Sequence, residues 1–166
     1  MKMKAALLAS LAFRSELIVL DEPFSGPDPV VREDFSRGLL SSVSDAEWTV
    51  FLSSQDVEEV ERLCDWVGIM GPGHLIASEP TEQLLRRFQR MEIVLGMNSP
   101  VDLGEGILQM GRNGSVLSMV HQRFAGEETL ASIRQHVPAG SSIETMPMTL
   151  REIYLALIRT PQPPTP

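Results

Sequence analysis

Cysteine occurs once in these 166 residues, at Cys64, which excludes an internal disulfide framework and a thiolate metal cluster. A reducing compartment is the simplest setting for such a chain, and a lone cysteine, expected to be buried, reads as an inert packing residue. Positive charge is also scarce: 14 Lys and Arg stand against 22 Asp and Glu, giving a net charge of -8 and a sequence pI near 4.9. Gripping phosphates along a nucleic acid needs clustered cations, so that class of partner is excluded. No apolar run approaches the ~18 residues a membrane-spanning helix requires, and any membrane contact is expected to run through a partner. His74, His121 and His136 are scattered without ligand spacing, so no metal site is assigned to them.

What is present suffices for a core. The chain is 43% hydrophobic and 22% charged, which suits one domain, or one domain with a small appendage. Lys2 and Lys4 precede an Ala- and Leu-rich stretch to Phe13. A secretory leader starts this way, but Arg14, Ser15 and Glu16 offer no small-x-small cleavage site and a second apolar run begins at once. A buried helix over 2–13 feeding a strand at Leu17-Ile18-Val19-Leu20 accounts for both runs, the unbroken quartet implying cover on both faces. Helical spacing predicts a second helix from Pro29 to Leu40, and Thr49 to Ser53 reads as a second buried strand. Asp56 is expected to cap a helix through Leu63 and Cys64, with Glu59 three residues on completing a capping box. Val67 to Met70, a Gly71-Pro72-Gly73 turn, His74 to Ala77 and a helix from Pro80 to Phe88 follow. This alternation predicts an α/β fold with a mostly parallel sheet. From Met91 the texture changes to short strands at 92–95, 106–110, 115–120 and 141–146, with helices over 127–136 and 150–158. That pattern implies a small α+β domain. The Pro-rich tail over 160–166 is expected to be disordered or extended.

Asp21 and Glu22 follow the first strand directly, at the carboxyl edge where open α/β sheets bind ligands. Adjacent extended residues point different ways, so one carboxylate can face a hard cation and the other a water. A solvated strand end beginning a turn at Pro23 and Gly26 is the competing reading.

The surroundings favour the chemical reading. Leu17-Ile18-Val19-Leu20-Asp21-Glu22-Pro23 resembles the Walker B motif of ABC-type ATPases, and Ser25-Gly26-Pro27-Asp28 sits where that family carries its D-loop, usually S-G-L-D. Phe24 between them also fits. Thr49 to Asp56 resembles the strand and switch that usually end in S-x-H-D, and residues 58–69 and 73–76 resemble the helix, strand and hairpin that follow. The resemblance spans residues 1 to about 90, in the family's order and spacing. It implies a partial P-loop NTPase over 1–89, a small α+β accessory domain over 90–159, and a three-layer sheet architecture in the first. Residues 149–157 are similar to the usual final helix of the accessory domain in some exporter subunits.

By this resemblance Asp21 would help hold magnesium through its water shell, and Glu22 would polarise the attacking water. Gln55 would contact the γ-phosphate, while Ser25, Gly26 and Asp28 would lie at the interface with a second nucleotide domain. ATP and Mg2+ are the implied ligands. A membrane permease and a second nucleotide-binding domain are the implied partners, with the chain at the cytoplasmic face of the membrane. Three departures qualify the match. The phosphate loop G-x-x-x-x-G-K-[ST] occurs nowhere in these residues, and residues 2–13 resemble the helix that follows the family's signature sequence. The expectation is therefore a shortened subunit, inactive alone; a non-enzymatic module that pairs with another subunit is the alternative. Gln55 stands at the switch histidine, and its amide can donate a hydrogen bond but cannot become cationic or relay a proton. Weakened hydrolysis follows from that, unless Gln55 is simply a polar strand end. Trp66 replaces a residue that is often polar, and is expected to pack against the sheet edge.

Overall fold

The computed structural model describes residues 16–26, 28–43, 49–95 and 103–160. The expected helix over 2–13, and the Pro-rich tail from residue 161, lie outside the described residues. Two compact units divide the chain, Met1–Leu63 and Cys64–Pro166.

In the first unit, the apolar quartet forms β1 (Leu17–Asp21), which pairs in parallel with β2 (Thr49–Ser53). The register sets Val19 opposite Phe51 and Asp21 opposite Ser53. Parallel strands need a crossover, and α1 (Pro29–Val43) lies between them in sequence. Pro29 occupies the first helical position, where its missing N–H is no loss. Phe24, Phe35 and Leu39 form the buried core, with Leu20, Val50, Leu52 and Leu63 packed against it. The rings of Phe24 and Phe35 meet edge to face, 6.0 Å apart at the centroids.

Among the described residues, cover on both faces, expected from the unbroken quartet, is not found. Ile18 is buried, whereas Leu17, Val19 and Phe51 are 54%, 65% and 65% exposed. The physical reason is that Phe35 and Leu39 of α1 fill only the side lined by Leu20, Val50 and Leu52. Asp56 caps α2 (Val57–Leu63) through its Oδ1, which accepts from the Glu59 amide at 3.4 Å. The reciprocal half of the expected capping box is replaced: the Asp56 amide donates to Ser54 Oγ, and the Glu59 carboxylate turns to Ser36 and Arg62.

The second unit opens on an antiparallel hairpin, β3 (Trp66–Met70) and β4 (Leu75–Pro80). Its tight turn is closed by the Gly71 amide donating to the His74 carbonyl. A Cβ at Gly71 would fall 2.8 Å from Ile76 Cδ1, so a larger residue there would have to push the Ile76 side chain aside. Trp66 does not pack as expected; it is 60% exposed and its Nε1–H donates to Ser78 Oγ. Burial, then the charge of Asp65, pushes the Cys64 thiol up, in keeping with an unreactive residue. Next come α3 (Thr81–Arg87) and β5 (Gln89–Val94), the latter inside a four-stranded antiparallel sheet. Its other strands are β6 (Ile107–Asn113), β7 (Val116–His121) and β8 (Ser142–Pro147), in the order β6-β7-β5-β8. Met91, Ile93, Leu117 and Met119 of the sheet bury themselves with Ile133 of α4 (Glu127–His136). The chain's last described helix, α5 (Leu150–Arg159), starts with a complete capping box between Thr149 and Glu152. The Thr149 backbone amide, aided by Arg90, holds the Glu152 carboxyl below the usual range against a smaller effect of burial.

Arg87 ties the hairpin to the four-stranded sheet. Its guanidinium grips Glu79 in a fork, Nη2 to Oε1 at 2.6 Å and Nε to Oε2 at 2.9 Å, while Nη1 donates to the Gln122 carbonyl at 2.8 Å. Arg87→Ala leaves a mostly enclosed carboxylate without its partner, and is expected to lower stability in urea denaturation by about 2 kcal/mol. Arg87→Lys should recover only part of that loss, because an ammonium cannot reproduce the fork.

Candidate functional site

Two chain segments leave the parallel strands at the same end, and they carry the polar groups singled out in the sequence. β1 ends at Asp21, and the chain turns over Glu22 to Ser25, the Ser25 amide donating to the Glu22 carbonyl at 3.1 Å. Phe24 is 1% exposed and anchors this turn in the core, which leaves Asp21, Ser25 and Gly26 on the surface. Gly26 has φ +87, a conformation glycine adopts without strain. Asp28 then starts α1: its Oδ1 accepts from the Val30 amide at 2.9 Å and its carbonyl from Arg32 at 3.0 Å.

Glu22 is the one non-glycine residue at positive φ, +46, among the described residues. Such a conformation costs an ordinary residue about 1–2 kcal/mol. Several bonds hold it there. The Glu22 amide donates to both the carbonyl and the hydroxyl oxygen of Ser53, each at 3.1 Å. Its carboxylate Oε2 accepts from the Gln55 backbone amide at 3.2 Å. The Ser53 hydroxyl in turn donates to Asp21 Oδ1 at 2.5 Å. Asp21, Glu22, Ser53 and Gln55 therefore form one hydrogen-bonded group spanning the ends of β1 and β2.

Polar contacts brace the two helices behind this group. Arg32 of α1 pairs with Asp56 at 2.9 Å, and Arg62 of α2 bridges Glu33 and Glu59, each at 2.7 Å. The Arg62 guanidinium holds the Glu33 carboxyl below its ordinary range.

Of the residues selected from sequence, Asp21, Glu22 and Gln55 are brought together by hydrogen bonds. The side-chain amide of Gln55 is exposed, so only its backbone takes part in the described bonds. Ser25, Gly26 and Asp28 lie along the loop that leaves Glu22 and have no described bond to Gln55. Ser53 was missed. It falls at the serine of the segment resembling S-x-H-D but was not chosen as a site residue; the parallel register sets its hydroxyl against Asp21.

The donor set is informative about cations. Among the described residues no three His, Cys, Asp or Glu side chains gather closely enough to cage a metal. A single exposed carboxylate with one oxygen already bonded suits magnesium that keeps its waters and comes with phosphate, and does not suit a dedicated protein cage. No helix among the described residues is long and apolar enough to cross a membrane.

Comparison with known proteins agrees with the motifs. The ABC transporter ATP-binding protein YtrB of Bacillus subtilis is 24% identical over 156 residues, covering 94% of this chain and 53% of its own length. The bacitracin transport ATP-binding protein BcrA of Bacillus licheniformis is 34% identical over 87 residues, 52% of this chain and 28% of the relative. This chain is similar to ABC transporter ATP-binding subunits. The energy-coupling factor transporter ATP-binding protein EcfA2 of Staphylococcus aureus adds a match of 32% identity over 88 residues, 53% of this chain and 31% of its own. The chain thus spans about half of YtrB and under a third of the other two. No protein-family model matches it. The expected mixed α/β character is present, but the expected mostly parallel sheet is not: among the described residues only β1 and β2 pair in parallel, and the strands of the second unit pair antiparallel.

Proposed function

We propose that residues 1–89 are the Walker B, D-loop and switch portion of an ABC transporter's ATP-binding subunit, followed over 90–159 by its accessory domain. The inherited role is ATP hydrolysis coupled to transport. The observation that carries this reading is the bonded group of Asp21, Glu22, Ser53 and Gln55 at the common end of two parallel strands. Asp21 would hold magnesium through water, and magnesium when bound would neutralise charge on the phosphates. Glu22 is the group that orients and polarises the attacking water. Gln55 would serve as a hydrogen-bond donor to the γ-phosphate, without the proton relay an imidazole supplies.

Partners follow from the same kinship: a membrane permease, met at the cytoplasmic face, and a second nucleotide domain approached by Ser25, Gly26 and Asp28. Because the 166 residues contain no G-x-x-x-x-G-K-[ST], the phosphate-gripping amides and lysine must come from other residues. A chimera tests the reading. Fusing the segment of BcrA that contains its phosphate loop and signature to this chain at Met1 is expected to give magnesium-dependent ATP hydrolysis. Glu22→Gln in that chimera should cut turnover by about 10²–10⁴-fold while ATP binding persists. Gln55→His should raise turnover. A well-folded chimera that binds ATP but never hydrolyses it favours the alternative, an interaction module without catalysis.

A further inference from the structure

The Ser53 hydroxyl has one proton to give and lone pairs to accept with. It gives the proton to Asp21 Oδ1 at 2.5 Å and accepts from the Glu22 amide at 3.1 Å. One side chain therefore touches the two neighbouring acidic residues in different ways: it fixes the carboxylate of the first and the backbone of the second. The parallel register makes this possible, since Asp21 and Ser53 are directly paired across β1 and β2. We propose that Ser53 is a positioning residue, one that orients Asp21 toward a divalent cation while locking Glu22 in its left-handed conformation.

Three features argue for such a role over a merely structural bond. Asp21 and Ser53 are both exposed, so the contact fills no hole in the core and satisfies no buried group. Water could solvate either side chain if the bond were absent. The bond to an ionised acceptor is of the stronger class, and it occupies one oxygen of Asp21, with no described partner on the other. An unbonded Asp21 would sample several rotamers, and each would present the free oxygen in a different direction. Glu22, meanwhile, sits at φ +46 with its amide shared between two oxygens of Ser53, so removing the hydroxyl leaves the strained residue with fewer restraints. Hydroxyl loss should thus act on metal and water placement together, without unfolding β1 or β2.

This inference rests on the reading that Asp21 faces a divalent cation, and the experiment separates the two. Fe2+ replaces Mg2+ in the ATP-loaded chimera with the BcrA segment, which supplies the phosphates that the cation needs, and ascorbate with peroxide then cuts the backbone near the bound metal; fragments are located by mass spectrometry. Wild type should be cut around residues 20–23 and 53–55, with excess Mg2+ suppressing the cuts. Ser53→Ala should need about tenfold more Fe2+ for the same cleavage, the low end expected for losing a group that orients a metal ligand. Ser53→Thr keeps a hydroxyl in a strand-favouring side chain and should cleave like wild type. Hydrogen exchange of the segment holding the Glu22 amide should rise in Ser53→Ala and not in Ser53→Thr. Unchanged cleavage in Asp21→Asn, or no cleavage in wild type, overturns the cation reading and this inference with it. Cleavage lost in Asp21→Asn but intact in Ser53→Ala overturns the role of Ser53 alone. Should Ser53→Ala fail to fold, weakened cleavage in folded Ser53→Thr would overturn it equally.

Discussion

Mixed with Mg2+ and a fluorescent ATP analogue, the 166-residue chain is expected to show no saturable binding below the millimolar range. A millimolar dissociation constant corresponds to only about -4 kcal/mol, and most of what would deepen it is supplied in P-loop enzymes by phosphate contacts. Backbone N–H groups at a helix start and a lysine aimed at the β- and γ-phosphates do that work in P-loop enzymes. These residues contain no such sequence. The site offers one water-facing carboxylate, a glutamate whose Oε2 already accepts from the Gln55 amide, and an exposed glutamine amide. Two of these three groups are anionic, and they repel a triphosphate unless a cation intervenes. Tight binding by the isolated chain, at micromolar concentrations or below, would mean that other residues grip phosphate, and the kinship with ABC subunits would then misdescribe the site. The measurement also has an internal control: Asp21→Asn should change nothing detectable if there is no capture for magnesium to assist.

Much of the local structure was legible because the signals were strong and short in range. Pro29 after Asp28 predicted the start of α1, and the helix expected over 150–158 is found as α5 (Leu150–Arg159). The Gly71-Pro72-Gly73 turn likewise announced the hairpin of β3 and β4. Less legible was anything decided by which elements meet. An apolar quartet such as Leu17 to Leu20 implies burial of both faces, yet α1 reaches only one, and Val19 and Phe51 are left at the surface. Trp66 carried the same ambiguity: a large ring suggests packing, but the polar Ser78 beside it offers a bond at the surface instead. At the site, Asp21, Glu22 and Gln55 could be chosen from their motifs. The part played by Ser53 could not, because a register between strands separated by 32 positions is a tertiary fact, and one step of slippage would have sent its hydroxyl to the opposite face.

On sedimentation the isolated chain is expected to run as oligomers, and to melt without a single cooperative transition. The cause lies in β1. Among the described residues it pairs only with β2, so its second edge offers free N–H and C=O groups to another chain. The exposed face compounds this, since Val19 and Phe51 are paired neighbours and each is 65% exposed. Burying a side chain of either type contributes about 1.5–3 kcal/mol, which is roughly a 10- to 150-fold gain in an association constant for each. Charge on that face should therefore reverse the effect: Val19→Lys with Phe51→Lys is expected to shift the distribution strongly toward monomer. Both side chains point away from Phe24, Phe35 and Leu39, so the double variant should retain helical and strand content by circular dichroism. A wild-type chain that sediments as one cooperative monomer would remove the argument at its root, because an edge and an apolar face of this kind would then be tolerated in water without a partner.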